Sequence, residues 1–447
     1  MLPLPPDLGR RLPRLLFGLL LSSLLLLGGC GDSLPGTSPE TARQDPPVAV
    51  SAESPIIHLW SNVLGNWTSG TPSGSREVFA GNGVRFEWNA VPGPSGSPVL
   101  GYSFAVDDTS EWSPLGLDNT EFPPSTMGEP NFWFPEAGSH AFFVRAVAQD
   151  GATTVLAADF TVFPGPLFCP VQDRFILVVL DTDPGALIAE GIWPADYADV
   201  ERALVDEWFA GYDYQIHETG GSVAPSVSLM NCASSTFWFH GADLAKGAVS
   251  VLKKQHTRAP NVVASYNASG GNVFLCGIQP SQALRWFEST ADGIPVIQDY
   301  PIDFGHTLDS PDWRPHWATT RLGVAEIERS IGGARVVHAK LPRIAMATSC
   351  IDGPNPYPDL PRDPSRWPRR ERGFGYFDFG VSRWWDSEVI YKLADSDTGI
   401  GVRRLAFPGV SGNAVFLGFH PYFVEDAAFL SLIAAVMADF GEVGTAR

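Results

Sequence analysis

The sequence predicts two folds in series, an all-β sandwich followed by an open, mostly parallel α/β sheet, and three observations carry that expectation. Between about residues 56 and 166, apolar side chains recur with a period of two in short runs bounded by Gly, Pro and Asp. From about residue 170 the apolar runs become continuous and alternate with helix-patterned stretches. Both regions belong to a chain of 447 residues, more than one hydrophobic core commonly serves.

A leader precedes them. Arg10, Arg11 and Arg14 form a basic start, and Leu15 to Leu27 is a 13-residue run of Leu broken only by Phe17, Gly18, Ser22 and Ser23. A helix needs about 20 apolar residues to span hydrocarbon, so residues 1–29 have the length of a cleaved signal peptide. The run ends in Leu27-Gly28-Gly29-Cys30. That ending resembles the bacterial lipobox, in which small residues admit the peptidase and the thiol takes the lipid. The resemblance implies a lipoprotein cut before Cys30 and held in the cell envelope, periplasmic or surface-exposed, by acyl chains on Cys30. Residues 30–55, rich in Ser, Pro, Thr and Ala, read as a flexible tether.

Cleavage takes three Arg and one Asp from 30 basic and 49 acidic residues, leaving 27 against 48 and a formal net charge of −21. So acidic a surface repels nucleic acid and anionic headgroups, which leaves membrane attachment to the lipid. Beyond Cys30 stand Cys169, Cys232, Cys276 and Cys350. An even number in an oxidising compartment permits two disulfides in three connectivities, among which the sequence does not choose. No pair has metal-ligand spacing, and neither a metal nor another cofactor is expected. The chain contains no P-loop, dinucleotide glycine fingerprint, H-E-x-x-H or G-x-S-x-G, and no repeat of solenoid period.

In the first region, Val84, Phe86 and Trp88 alternate with Arg85, Glu87 and Asn89, and Tyr102, Phe104, Val106 and then Phe142, Val144, Ala146 repeat the pattern. One greasy face per strand over roughly 110 residues fits an immunoglobulin-like sandwich. The segments Phe86-Glu87-Trp88, Gly101-Tyr102-Ser103-Phe104 and His140 to Ala146 resemble fibronectin type III-like modules of bacterial envelope proteins. Asp107-Asp108 reads as an acidic turn rather than a calcium ligand pair.

In residues 170–447, Phe175 to Leu180 is apolar throughout, as in a strand buried on both faces. Tyr197, Val200, Ala203, Leu204 and Trp208 fall on one helical stripe, and a second strand follows at Tyr212 to His217. Further strands are expected at Phe237–Phe239, Val273–Leu275 and Val415–Phe419, with a closing amphipathic helix from Glu425 to Phe440. Ligands of such sheets bind where the strands end.

Phe175 to Asp181, Gly270 to Gly277 and Val415 to Pro421 together resemble the class I glutamine amidotransferase-like fold. The resemblance implies a nucleophilic Cys on a tight turn after a central strand and a later His that takes its proton, positions at which Cys276 and His420 fall. A Cys–His pair generates the thiolate that attacks a carbonyl. Two departures oppose it: Phe274 and Ile278 flank the Cys where a strained turn wants small residues, and Tyr422 stands where the family places a Glu.

Other strand-end groups are candidate ligand contacts: Asp181 and Asp183 after the first strand, and His240 and Asp243 after the third. Arg362, Arg366, Arg369, Arg370 and Arg372 surround Trp367 in a Pro-rich basic island suited to an anionic glycan or a partner protein. The expected function is therefore a non-catalytic binding or interaction scaffold of the envelope, its partners being the membrane through Cys30 and a glycan or envelope protein. The alternatives are a Cys-dependent hydrolase or amidase acting through Cys276 and His420, and a glycan-binding surface protein.

Overall fold

Residues 54–444 are described by a computed structural model, apart from 125–132, 243–249, 255–261, 285–301, 304–321, 336–347, 350–356, 367–377 and several shorter breaks. The expected leader, Cys30 and most of the tether lie outside the described residues, as do Asp243, Cys350, Trp367, Arg369, Arg370 and Arg372.

Eight strands make two facing four-stranded sheets. One holds β1 (Ile56–Ser61), β2 (Gly65–Thr68), β4 (Phe86–Val91) and β6 (Glu121–Phe122) in the order β2-β1-β4-β6; the other holds β3 (Arg76–Phe79), β5 (Val99–Val106), β7 (Gly138–Ala148) and β8 (Thr153–Phe163) in the order β3-β8-β7-β5. Between them lies a core of Trp67, Phe86, Trp88, Phe142, Val144 and Phe160. Phe86 and Phe142 stack across the sheets with ring centroids 4.1 Å apart. The period-two pattern holds on β4 and β7, where alternate residues are buried. On β5 it breaks, because Ser103 and Ala105 are buried while Phe104 is only partly so.

Phe79, at the end of β3, leaves this core and enters that of the following region, where its ring lies 6.1 Å from Tyr266. Glu77 accepts the Ser228 N–H at 3.1 Å, and the Gly165 N–H donates to Asn231 Oδ1 at 2.9 Å. A disulfide joins Cys169, just after the sandwich, to Cys232. Through these ties the sandwich and the following sheet belong to one compact unit, Ala49–Arg447.

That sheet has eight strands. Its first part is β9 (Phe175–Asp183), β10 (Tyr214–Glu218), β11 (Ala233–Ala242) and β12 (Asn272–Gly277). Smaller sheets intervene, one of β13 (Ile302–Asp303), β14 (Val324–Ile327) and β18 (Val381–Arg383), the other of β15 (Ser330–Ile331) and β16 (Ala334–Arg335). The large sheet is completed by β17 (Thr348–Ser349), β19 (Glu388–Lys392), β20 (Gly399–Arg404) and β21 (Ala414–Leu417), in the order β10-β9-β11-β12-β21-β20-β19-β17. The first five positions run parallel and the remaining three pairings are antiparallel. The sheet is thus mixed, because the chain returns through β19 and β20 by antiparallel pairing rather than by helical crossovers.

Helices cover both faces. On one lie α2 (Tyr197–Trp208) and α7 (Asp426–Phe440), packed on Val178, Phe237, Phe239, Phe274 and Leu417. On the other, short helices supply Met230, Leu252, Tyr266 and Leu284 against Leu177, Val179, Trp238 and Leu275. Strands greasy on both sides are what this double cover demands. Helix α7 is closed by Gly441 in the left-handed region at φ 72°, with Gly441 and Glu442 N–H groups returning to Ala438 and Met437 carbonyls.

Candidate functional site

Alternation along the strands divides the candidate residues between the two faces. Cys276 continues the series of Phe274 and belongs to the α2/α7 layer. Asp181 continues Leu177 and Val179, and His240 continues Trp238, so both point into the opposite layer. All four candidates Cys276, His420, Asp181 and His240 are fully or almost fully buried.

On the α2 side His420 follows β21. The Tyr422 N–H donates to its Nδ1 at 3.2 Å, which assigns the imidazole proton to Nε2. Nε2 faces the Tyr197 hydroxyl at 3.3 Å and Glu201 Oε1 at 3.6 Å. Tyr197 in turn donates to Glu201 Oε1 at 3.2 Å, and Thr182 Oγ1 donates to the same oxygen at 3.0 Å. The result is a chain from His420 through Tyr197 to a buried carboxylate. Burial lowers the His420 pKa, with Glu201 acting against it. Burial and the neighbouring Glu201 charge raise the Tyr197 pKa.

Glu201 is the functional-looking residue that sequence reasoning missed. Its spacing from Tyr197 places it on the buried stripe of α2, where the buried residues are Tyr197, Glu201, Leu204, Val205 and Trp208. The acid beside His420 thus comes from this helix instead of from the position of Tyr422.

Cys276 does not sit on a turn. It lies inside β12, registered against Phe239 on one side and Leu417 on the other, and is a free thiol. The strand-to-helix turn comes three residues later at Gln279, whose φ is 42°, just before α6 (Pro280–Leu284). A non-glycine residue in that region marks local backbone strain. Burial raises the Cys276 pKa well above the ordinary thiol value, and the Glu201 charge adds to it.

On the other face Asp181 is an anchored carboxylate. It accepts from Ser250 Oγ at 2.6 Å, Thr219 Oγ1 at 2.9 Å, and the Val251 and Leu252 N–H groups at 3.0 and 3.3 Å. Burial pushes its carboxyl up, but His240, Ser250 and Val251 outweigh that and hold it at about 2. His240 Nδ1 lies 3.7 Å from Asp181 Oδ2, outside hydrogen-bond distance, and neither of its ring nitrogens has a hydrogen-bond partner. Asp183, at the end of β9, is only half-buried.

The strand ends on the α2 side are filled by the chain itself. Trp193 lies flat on Tyr197, ring centroids 3.6 Å apart and planes 3° from parallel. Gly241 leaves room for it: a Cβ there would stand 2.7 Å from Trp193 Cη2 and 2.6 Å from Thr182 Oγ1. An open groove of about 570 Å³ lies elsewhere, lined by Arg202, Tyr214, Ile216 and Glu218 beside the edge strand β10, and none of the candidate residues lines it.

Of the basic island, Arg366 is spent internally. It pairs with Asp426 through both terminal nitrogens and with Asp363, and lies over the Tyr422 ring. Among the described residues no group of three or more His, Cys, Asp or Glu is placed to hold a metal ion. No described helix is long and apolar enough to cross a membrane.

No family model matches the chain, and no curated protein matches it either. Among solved structures, the fibronectin(III)-like modules of Clostridium thermocellum CbhA share 16% identity over 25% of this chain and 47% of theirs, with a TM-score of 0.17. CopC from Methylosinus trichosporium OB3b shares 20% over 21% of this chain and 87% of its own, at 0.13. The 2,6-sialyltransferase of Photobacterium sp. JT-ISH-224 shares 13% over 46% of this chain and 35% of its own, at 0.16. The chain thus spans under half the length of the CbhA modules.

Proposed function

We propose that this chain is a cell-envelope lipoprotein, acylated at Cys30, whose eight-stranded sheet is an amidotransferase-like binding or interaction scaffold that does no nucleophilic chemistry. One observation carries the reading: both nitrogens of His420 are engaged, Nδ1 by the Tyr422 N–H and Nε2 by the Tyr197 hydroxyl. No imidazole lone pair is left to take a proton from a thiol. The burial of Cys276 supports it, since a thiol whose pKa is raised supplies no thiolate at neutral pH.

The parallel part of the sheet supports the fold assignment, because its strand order places the first strand between the second and third, as in flavodoxin-like sheets. The Cys169–Cys232 disulfide supports a location in an oxidising compartment outside the cytoplasm. In this reading the sandwich is a spacer between the tether and the sheet, and a glycan or envelope protein is the partner.

Alkylation of the native protein with iodoacetamide at pH 7 tests the chemistry. Cys276 is expected to stay unmodified until the protein is denatured, whereas rapid native modification would restore the hydrolase reading. Cys30→Ser tests the anchor. The variant is expected in the soluble fraction, and its retention in the membrane would remove the lipoprotein assignment.

A further inference from the structure

The strand ends of β9 and β11 are the switch point of the sheet, where β9 has the second strand on one side and the third on the other, and where doubly wound sheets take their ligands. Here that place holds an indole. Trp193 is 2% exposed, and its Nε1–H, like those of the buried Trp67, Trp88 and Trp208, has no hydrogen-bond partner. A buried donor left unmade is a cost to the closed arrangement that a surface-exposed indole would not bear.

The surroundings have the form of a slot for a flat ring. Tyr197 is one wall, parallel to within 3° at 3.6 Å. The absence of a side chain at Gly241 forms the floor, and Thr182 and the Tyr197–Glu201–His420 chain form a polar end. Against Tyr197 an aromatic ring stacks flat, as a puckered saturated ring does not. Opening this segment breaks the bonds that the Gly191 N–H makes to Ile188 and the Ile192 and Trp193 N–H groups make to Leu187, both acceptors lying in α1 (Gly185–Ala189). Gly191 has a left-handed φ of 66°, which provides a turn at the start of the segment.

We propose that Trp193 is an in-chain occupant of a ring-binding slot, and that residues 191–196 form a strap that swings away to admit a free planar aromatic ring against Tyr197 and Gly241. Displacement also uncovers the Tyr197 hydroxyl and Glu201, which then meet polar substituents of the ring. The inference rests on the scaffold reading only in treating the strand ends as a place that binds rather than reacts. Rapid alkylation of Cys276 would remove that reading and leave the slot as it is.

Two measurements on the full chain test it. In the first, indole binding is compared between wild type and Trp193→Gly, with cyclohexanol as the puckered probe. Vacating the slot is expected to tighten indole binding at least about tenfold and leave cyclohexanol unbound. Equal indole binding by both proteins, or cyclohexanol binding as well as indole, overturns the proposal. The second uses Gly241→Ala, whose methyl group meets Trp193 and Thr182 and so favours the open strap. Hydrogen exchange of the amides of 191–197 is expected to quicken about tenfold while β9 keeps its wild-type protection. Unchanged exchange in 191–197, or equal quickening of β9, overturns the proposal even if Trp193→Gly fails to fold.

Discussion

The backbone N–H of Tyr422 donates to Nδ1 of His420 at 3.2 Å, so the residue standing where a catalytic acid was sought instead fixes the tautomer of the imidazole. The Nε2 proton then faces Tyr197 and, through it, the Glu201 carboxylate. A His held this way orients and tethers. It joins the end of β21 to helix α2 across the α2-side core.

Glu201 is therefore expected to matter for stability. Glu201→Ala leaves the Thr182 and Tyr197 hydroxyls without their acceptor, and should cost about 2–4 kcal/mol by denaturant unfolding. Glu201→Gln retains shape and part of the bonding and should cost less. Because the Glu201 charge helps to raise the Cys276 pKa, the Gln variant should ease thiol ionisation while leaving Cys276 slow to alkylate, since burial is the larger cause. If Glu201→Ala unfolded at the wild-type midpoint, the carboxylate would be a bystander.

The same cluster gives a pH dependence with a definite sign. Burial depresses the His420 pKa below the ordinary value of 6.5, so below that pH the unfolded chain takes up a proton that the folded chain resists. Stability contributed by neutral His420 is full above pH 6.5 and falls as the pH drops through the folded value. Asp181 acts lower: held at about 2 against 3.8 in the unfolded chain, it contributes on the order of 2 kcal/mol above pH 4, lost as the pH falls towards 2. Unfolding curves from pH 8 to 3 for wild type, His420→Gln and Asp181→Asn check both. His420→Gln should flatten the upper part of the profile and Asp181→Asn the lower, and a parallel offset in either case would contradict the assignment.

Much of the sheet was legible because burial on both faces leaves a plain mark. The apolar run at Phe175 is β9, the stripe from Tyr197 to Trp208 is α2, and the last helix differs from expectation by a single residue at its start. The site was legible only in part. Glu201 reads in sequence as the polar side of a helix, and nothing local reveals that Thr182, Tyr197 and His420 converge on it from two strand ends and its own helix. The turn at Gln279 was hidden because a positive φ on a residue other than glycine is imposed by tertiary packing. The pairing of Cys169 with Cys232 depends on a Cα separation of 5.4 Å between residues 63 apart in sequence, a distance no spacing rule supplies.

That disulfide and Phe79 together decide whether the sandwich and the sheet unfold as one. The bond closes a 63-residue loop from the exit of the sandwich to the start of β11, and Cys232→Ser should cost about 2–4 kcal/mol. Phe79 is fully buried against Tyr266 in the core of the sheet, and Phe79→Ala should cost about 3–5 kcal/mol while weakening the join between the two regions. Each single variant keeps one tie and should still melt in one transition. With both removed, the remaining ties are the partly buried Phe163 and a few polar contacts such as Glu77 to Ser228, too few to couple two cores, and calorimetry of the double variant should resolve two transitions. A single transition in the double variant would mean that the coupling lies outside these two residues.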